Sequence, residues 1–415
     1  MGLNEKQKII LQKILDGKNA FITGFAGSGK SYLIEHICNS LLEIKKNYAL
    51  TAMTGCASVL INGRTLHSTL GIGLGKGTPH ELIKRIRRNI GLFDYLKSLD
   101  VLIIDEVSML NDTLFDKIAE IFKIIHNSSE RPFGKLQIIL VGDMSQLKPI
   151  EDEYCFCAKC WNDCKIEVSF LTENMRVNDD TRFSDFLQEL RWGKLTDLAL
   201  IEEMKKNNIS DGEIVPTKLF SKNKDVETIN QYELGLLLKE GKELINYKII
   251  FNPNKLKEST KYVTDNKIPM SLTLCIGAQV MVTRNINFDN QIVNGTRGVI
   301  TYLNDLFVTI KLTNGTYYNI TYFHVKLDNN DCILTKNLDF KYIPLTLSWA
   351  MSIHKSQGAT IDSLEIDLGE SIFACGQAYV AISRARNSKS VKITNFNKKS
   401  IRVSKPVLSF YEKFN

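Results

Sequence analysis

Gly24-Phe25-Ala26-Gly27-Ser28-Gly29-Lys30-Ser31 follows an apolar run, Ala20 to Thr23, and precedes Leu33, Ile34, Ile37, Leu41, Leu42 and Ile44 at helical spacing. Strand, glycine loop and helix in that order are the setting of a phosphate-binding loop. Glycines let the main-chain amides wrap phosphates, and the N-terminus of the following helix favours their negative charge. Lys30 is expected to reach the outer phosphates and the Ser31 hydroxyl to ligate magnesium. The plainer reading, a glycine turn before an ordinary helix, does not explain why an apolar strand leads into it.

Two more apolar runs, Val101 to Ile104 and Leu136 to Val141, end in acidic residues. Strands alternating with helices predict an α/β fold with a parallel sheet, whose functional residues lie at the carboxyl ends of the strands. At one such end Asp105 is a candidate magnesium ligand, and Glu106 a candidate to orient and deprotonate water. Gly142-Asp143-Met144-Ser145-Gln146 closes another strand and puts Gln146 where an amide can sense a terminal phosphate. These features describe a nucleoside triphosphatase and no more, because kinases, transporters and helicases share them.

The rest of the chain narrows the class. At 415 residues it has room for two or three domains. An apolar fraction of 44% and a charged fraction of 24% are those of a globular protein. Lys plus Arg number 53 against 46 Asp plus Glu, a net +7 that permits a polyanionic partner. No run approaches the roughly 18 apolar residues of a membrane span, and Met1 to Gln7 lacks a secretory signal. Nine scattered cysteines predict reduced thiols in an intracellular compartment, cytoplasm or nucleus. Cys155, Cys157, Cys160 and Cys164 fall close together without a His or a second Cys pair nearby. On a helix the last three would share one face beside Phe156 and Trp161, which favours apolar packing over a metal site.

From about residue 270 to 330 the pattern becomes β-rich. Val299 to Leu303, Leu306 to Leu312 and Thr316 to Val325 are separated by Asn304-Asp305 and Asn314-Gly315, and Asn294-Gly295 adds another turn. A small antiparallel barrel or sheet is expected there, inserted between α/β segments.

Arginine is scarce, 13 residues against 40 lysines, so its placement is informative. Arg176 ends Leu171-Thr172-Glu173-Asn174-Met175-Arg176. Arg384 lies in Ala381-Ile382-Ser383-Arg384-Ala385-Arg386, and between them falls His354-Lys355-Ser356-Gln357-Gly358-Ala359-Thr360. Arginines stabilise a transferring phosphoryl group if a second domain carries them to the phosphate loop. Surface salt bridges are the alternative for either one taken alone.

The ordered set resembles superfamily 1 helicases of the Pif/RecD-like branch, over nearly the whole chain. Gln7 looks like the adenine-reading glutamine of that family, Gly24 to Ser31 like its motif I, and Thr51 to Ser58 like motif Ia. Gly63 to Ser68 is similar to the next strand-contacting loop. Asp105-Glu106 resembles motif II, Gly142 to Pro149 motif III, Arg176 the motif IV arginine, His354 to Thr360 motif V and Ser383-Arg384 motif VI. Gly277 to Met281 and Val293-Asn294-Gly295, within Leu274 to Gly298, resemble the Pif side of the branch.

That resemblance implies two RecA-like P-loop domains with ATP and Mg2+ between them. The first would span residues 1–172, with a wedge at about 71–99 carrying Lys84, Arg85, Arg87 and Arg88. The second would span 173–255 and 336–415, and an SH3-like β-rich insertion 256–335. It implies catalytic roles for Lys30, Glu106, Gln146, Arg176 and Arg384. The nucleotide would be held by Gln7, Gly24, Phe25, Ala26, Gly27, Ser28, Gly29, Lys30, Ser31, Gln357 and Gly358. Thr54, His67, Lys148, His354 and Thr360 would contact a DNA strand. The implied activity is 5′-to-3′ translocation on single-stranded DNA and unwinding at duplex junctions, in replication, repair or recombination, by a monomer without an obligatory protein partner. An RNA or RNA–DNA helicase, and an ATPase that binds nucleic acid without unwinding it, stay open.

Overall fold

Asn4 sets the start of the first helix, α1 (Glu5–Leu15): its side chain accepts the Gln7 main-chain N–H while the Gln7 side chain bonds back to Asn4. The structure, a computed structural model, describes residues 2–414 except 129–130, 150–151, 174–179, 210–213, 267, 288–289, 291 and 328–337. Six strands form the first sheet: β1 (Ala20–Gly24), β2 (Tyr48–Ala52), β3 (Arg64–Thr65), β4 (Val101–Asp105), β5 (Gln137–Gly142) and β6 (Glu167–Leu171). All pair in parallel, in the order β3-β2-β4-β5-β1-β6. β1 and β4 are buried at every position, as expected of strands covered on both faces by helices. β5 lies between them, so the phosphate loop, the acidic pair and Gly142-Asp143 leave three adjacent strands at the same carboxyl edge.

Helices complete this domain: α2 (Lys30–Glu43), α3 (Gly55–Leu60), α4 (Leu66–Leu70), α5 (Pro79–Arg87), α6 (Ile90–Ser98) and α7 (Asp112–Ile125). The apolar stripe of α2 packs with Ile10 and Ile14 against one face of the sheet. Thr78 and Glu81 cap α5 reciprocally, with Pro79 at its first turn. Leu82, Ile83 and Ile86 turn inward while Lys84, Arg85, Arg87 and Arg88 stay exposed, so the segment 71–99 folds as a basic-faced helix pair on α7.

The cysteine segment departs from the helix expected of it. Two separate 3-10 turns, Cys155–Cys157 and Asn162–Cys164, flank Ala158, whose extended backbone (φ −59, ψ 145) prevents one continuous face. Cys155 and Cys164 are nonetheless buried beside Trp161 and Phe115, while Cys157 is exposed.

The second α/β unit starts with α8 (Thr181–Arg191), α9 (Leu198–Lys206), β7 (Thr217–Phe220) and α10 (Asn223–Lys239). The chain then leaves for the insertion: β8 (Ile245–Lys248), β9 (Ile250–Phe251), α11 (Leu256–Asp265), β10 (Ser271–Leu274), β11 (Gln279–Val282), β12 (Arg297–Leu303), β13 (Phe307–Leu312), β14 (Tyr317–Thr321), β15 (Phe323–Leu327), β16 (Leu338–Tyr342) and β17 (Leu345–Leu347). Five strands form an antiparallel sheet, β14-β13-β12-β11-β17. A second sheet, β15-β16-β9, carries α11, and β8 pairs with β10. The run Thr316 to Val325, expected as one strand, divides at Tyr322, its halves bonding different neighbours. Strand pairing therefore extends the insertion over 245–347, beyond the expected 256–335 at both ends.

The second unit resumes with β18 (Ala350–Ser352), α12 (Ile353–Ser356), β19 (Leu364–Leu368), α13 (Gln377–Ile382), β20 (Val391–Phe396) and α14 (Lys405–Glu412). Its sheet, β18-β7-β19-β20, is parallel throughout. α14 does not stay with this sheet. Val407, Phe410 and Tyr411 join the core of the first domain, where Phe410 stacks on Phe156 with ring centroids 4.3 Å apart. No helix among the described residues is long and apolar enough to cross a membrane.

Candidate nucleotide and strand-binding sites

Lys30 begins α2 directly after Gly29, and its Nζ turns back to the Gly24 and Phe25 carbonyls at 2.8 and 3.0 Å. Burial lowers its pKa, opposed by the nearby carboxylates of Asp143 and Glu106. The Ser28 hydroxyl is buried with no hydrogen-bond partner among the described residues, and the Ala26 amide donates to the Tyr379 hydroxyl at 3.1 Å. Ser31 follows with an exposed side chain at the mouth of the loop.

Across the sheet edge, Asp105 is buried and accepts the Glu106 main-chain N–H at 2.8 Å. Burial, with the Glu106 charge beside it, pushes its pKa up to about 7. Glu106 sits at φ 53 in the left-handed region, a strained placement for a residue with a side chain. Its Oε2 accepts from Gln357 Nε2 at 2.7 Å, and the same nitrogen stands 3.1 Å from Gln146 Oε1. Gln357 belongs to the second unit, so one amide ties the two halves together at the chemical centre.

Arg384 is buried in the second unit and donates to Val380 O (3.0 Å), Ser383 Oγ (2.8 Å), Ser356 O and Ala359 O (both 3.4 Å). Among the described residues it has no ion pair, and burial lowers its pKa although Glu106 opposes the shift. A guanidinium stays charged under such a shift, so this one is a desolvated cation beside the acidic pair. Arg176 lies outside the described residues.

Three residues that sequence reasoning missed fasten the halves behind the phosphate loop. Arg191, at the end of α8, donates to both oxygens of Asp143 and to Thr23 Oγ1. Tyr379 donates to Asp143 Oδ2 at 3.0 Å. The Tyr411 hydroxyl pairs with Thr23 Oγ1 at 2.8 Å and accepts the Met144 N–H at 3.0 Å. Gly376 makes the approach feasible: a Cβ there would stand 2.3 Å from the Gln146 carbonyl oxygen, and its φ is +75. Arginine scarcity was the available signal for Arg191, and nothing local marked the tyrosines.

Gln7 is fully buried, and its Nε2 has no partner among the described residues. The strand-contact candidates fall into two groups and an outlier. Thr54 caps α3 and His67 lies on α4. His354 is exposed on α12, with Thr360 just beyond it. The groups meet at Leu60, since a Cβ on Gly358 would lie 2.9 Å from Leu60 Cδ1. Lys148 is exposed, and no described contact joins it to either group. The insertion docks on the α3–α4 segment: Asp265 accepts from Ser68 Oγ (2.6 Å), Asn266 Oδ1 from Ser58 Oγ (2.5 Å), and Arg284 donates to Val59 O (2.6 Å).

A hollow of about 1700 Å³ lies at the other edge of the first sheet. It is lined by Asn19 and Gln137 with mixed Lys and Asp charges, away from this chemistry.

Residues 2–199 match the family model described as PIF1-like helicase, and 263–303 the one described as DNA helicase Pif1, 2B domain. The chain is 32% identical to the ATP-dependent DNA helicase Pif1 of Bdellovibrio bacteriovorus, over 99% of this chain and 92% of that one. It is 34% identical to the ATP-dependent DNA helicase PIF1 of Xenopus laevis over 99% of its length, and spans 64% of that longer protein. The solved structure of Bacteroides Pif1 in complex with ADP-AlF4 is similar with a TM-score of 0.84 at 28% identity, covering 100% of this chain and 97% of that one.

Proposed function

The chain belongs to the PIF1-like helicase family of ATP-dependent DNA helicases, and we propose that it uses ATP held between its two α/β units to move 5′ to 3′ along single-stranded DNA and part the duplex ahead. The observation that best supports this reading is the Gln357 amide, which crosses from the second unit to Glu106 and Gln146 in the first. A catalytic centre assembled from both halves makes turnover sensitive to their relative position, which movement along a strand requires.

In this reading ATP takes the place of the loop carbonyls as the partner of Lys30, and the loop amides cradle the phosphates. Glu106 accepts the proton of the attacking water, and Gln146 senses the terminal phosphate. Arg384, with Arg176, neutralises charge on the transferring group when the halves close. Gln7, whose Nε2 has no partner among the described residues, reads the base. Ser31 and Asp105 suit Mg2+: a hydroxyl and a carboxylate with no ion pair among the described residues are hard oxygen donors, and the ion when bound would supply charge neutralisation at the phosphates. Thr54, His67, His354 and Thr360 grip the strand, with Lys148 as a further phosphate contact. The protein would serve replication, repair or recombination.

Duplexes carrying a 5′ or a 3′ single-stranded tail test the reading. Unwinding of the 5′-tailed substrate with ATP is expected, and preference for the 3′ tail would overturn the direction. An RNA tail in parallel tests the choice of DNA. Lys30→Ala should abolish turnover, and a variant that still hydrolyses ATP on adding single strands would sink the assignment of the site.

A further inference from the structure

Gln357 does more than line the cleft. Its Nε2 is shared between Glu106 Oε2 at 2.7 Å and Gln146 Oε1 at 3.1 Å. Turning the amide round would set its oxygen against a carboxylate and a second carbonyl, so the nitrogen must face them. Glu106 has little main-chain freedom with which to escape, because its N–H is bonded to Asp105 and its φ of 53 is enforced by the turn. What remains free is rotation of its side chain. A carboxylate already holding an amide proton, and aimed at Gln357, is a weaker acceptor for a proton from water.

The other end of the same amide is unsatisfied: Gln357 Oε1 is buried with no partner among the described residues. The resting contact is therefore incomplete, and a displaced Gln357 has a polar atom to gain a partner for. Displacement has a built-in handle. Gln357 caps α12, a single turn whose exposed face carries His354 three residues earlier. Just after it, Gly358 abuts Leu60, and a Cβ on Gly295 would lie 1.9 Å from the Thr360 carbonyl oxygen. A helix of this length moves as one body, so a force on His354 or Thr360 reaches the Gln357 side chain.

We propose that Gln357 is a positioning residue that holds Glu106 away from the hydrolytic water until a DNA strand engages the α12 turn. The proposal rests on the helicase reading above. Strand binding shifts the turn, the amide leaves the carboxylate, and Glu106 swings to the water. ATP turnover thus waits for DNA, through one side chain that touches both the water-activating residue and the phosphate-sensing one.

The test is steady-state ATP hydrolysis by the full chain, with and without a single-stranded oligonucleotide. Wild type is compared with Gln357→Met, which fills the same space without a donor, and Gln357→Ala. DNA-free kcat should rise by roughly tenfold or more, the loss of a hydrogen bond to a charged group. Stimulation by DNA should shrink as the DNA-free turnover rises, so the ratio of the two falls. Adding Glu106→Gln should erase the gained turnover. Equal loss of DNA-free and stimulated turnover would make the amide part of the reaction itself, and a raised KM with an intact ratio would make it a nucleotide contact. Either result, or unchanged kinetics, overturns the proposal while leaving the helicase reading intact. A wild-type protein whose turnover ignores single strands would overturn that reading, and the proposal with it. Matched unfolding midpoints for wild type and Gln357→Met exclude misfolding as the cause.

Discussion

Arg191 Nε donates to both carboxylate oxygens of Asp143, at 3.0 and 3.1 Å, across the boundary between the two α/β units. Burial opposes the charge on Arg191, yet Asp143 and the surrounding tyrosines raise its pKa. The pair lies directly beneath the phosphate loop through Thr23, so its loss is felt in stability and in the site together.

Arg191→Met leaves a buried carboxylate without its cation, a change that typically costs about 3–5 kcal/mol. A lower urea midpoint is expected. Combining it with Asp143→Leu removes both charges and should recover much of the loss. If the double variant is no more stable than the single, the pair is not what holds the boundary.

Gly376→Ala introduces a Cβ 2.3 Å from the Gln146 carbonyl oxygen at a positive φ. α13 must withdraw, carrying Tyr379 away from Ala26 and Asp143. Strand-stimulated kcat should fall by about tenfold or more, because small displacements of positioned groups are costly. Wild-type kinetics in this variant would show that the contact yields without consequence.

Burial lowers the pKa of His67. The unfolded chain therefore binds a proton more readily than the folded one, so the stability at stake is present above the unfolded pKa, near 6.5, and is lost as pH falls from there toward the lower folded pKa. Denaturation midpoints at about pH 7.5 and about pH 5.5 should differ more in wild type than in His67→Asn. An identical drop in both would assign the acid sensitivity to other groups, among them His126, whose pKa burial also lowers.

Thiol labelling under native conditions should modify Cys56 and Cys157 first, since both are exposed. Cys38, Cys155, Cys164 and Cys275 are buried, and burial pushes the Cys38 thiol up to about 12, so they should react only on unfolding. Mass spectrometry of the labelled peptides reads the order. Early labelling of Cys155 would mean that its segment opens on its own.

The parts of this protein legible in its sequence are those whose signal is local. A glycine loop between an apolar strand and a helix, and acidic residues at strand ends, need no knowledge of the rest of the chain, and the sheet order sets them at one edge. Long-range pairing left no such mark. Ile245–Lys248 and Leu345–Leu347 lie outside the β-rich run and belong to the insertion only because they bond strands within it, Ser271–Leu274 and Gln279–Val282. Tyr322 gave no sign that it separates two sheets. Ala158 breaks a helix that Cys157, Cys160 and Cys164 would have lined, and small residues carry no warning of an extended backbone. Tyr411 reaches Thr23 from the far end of the sequence, a contact that depends on where α14 docks.

That docking has a consequence for how the molecule comes into being. Phe410 and Tyr411 pack against Phe21, Phe156 and Phe170 of the first domain, with Trp192 of the second unit on their other side. During synthesis the first sheet can form before they arrive, leaving aromatic surface open to water and to other chains until residues 405–412 leave the ribosome. A fragment confined to residues 1–172, lacking that cover, should therefore be prone to aggregate. Supplying residues 405–412 as a separate peptide should restore its solubility.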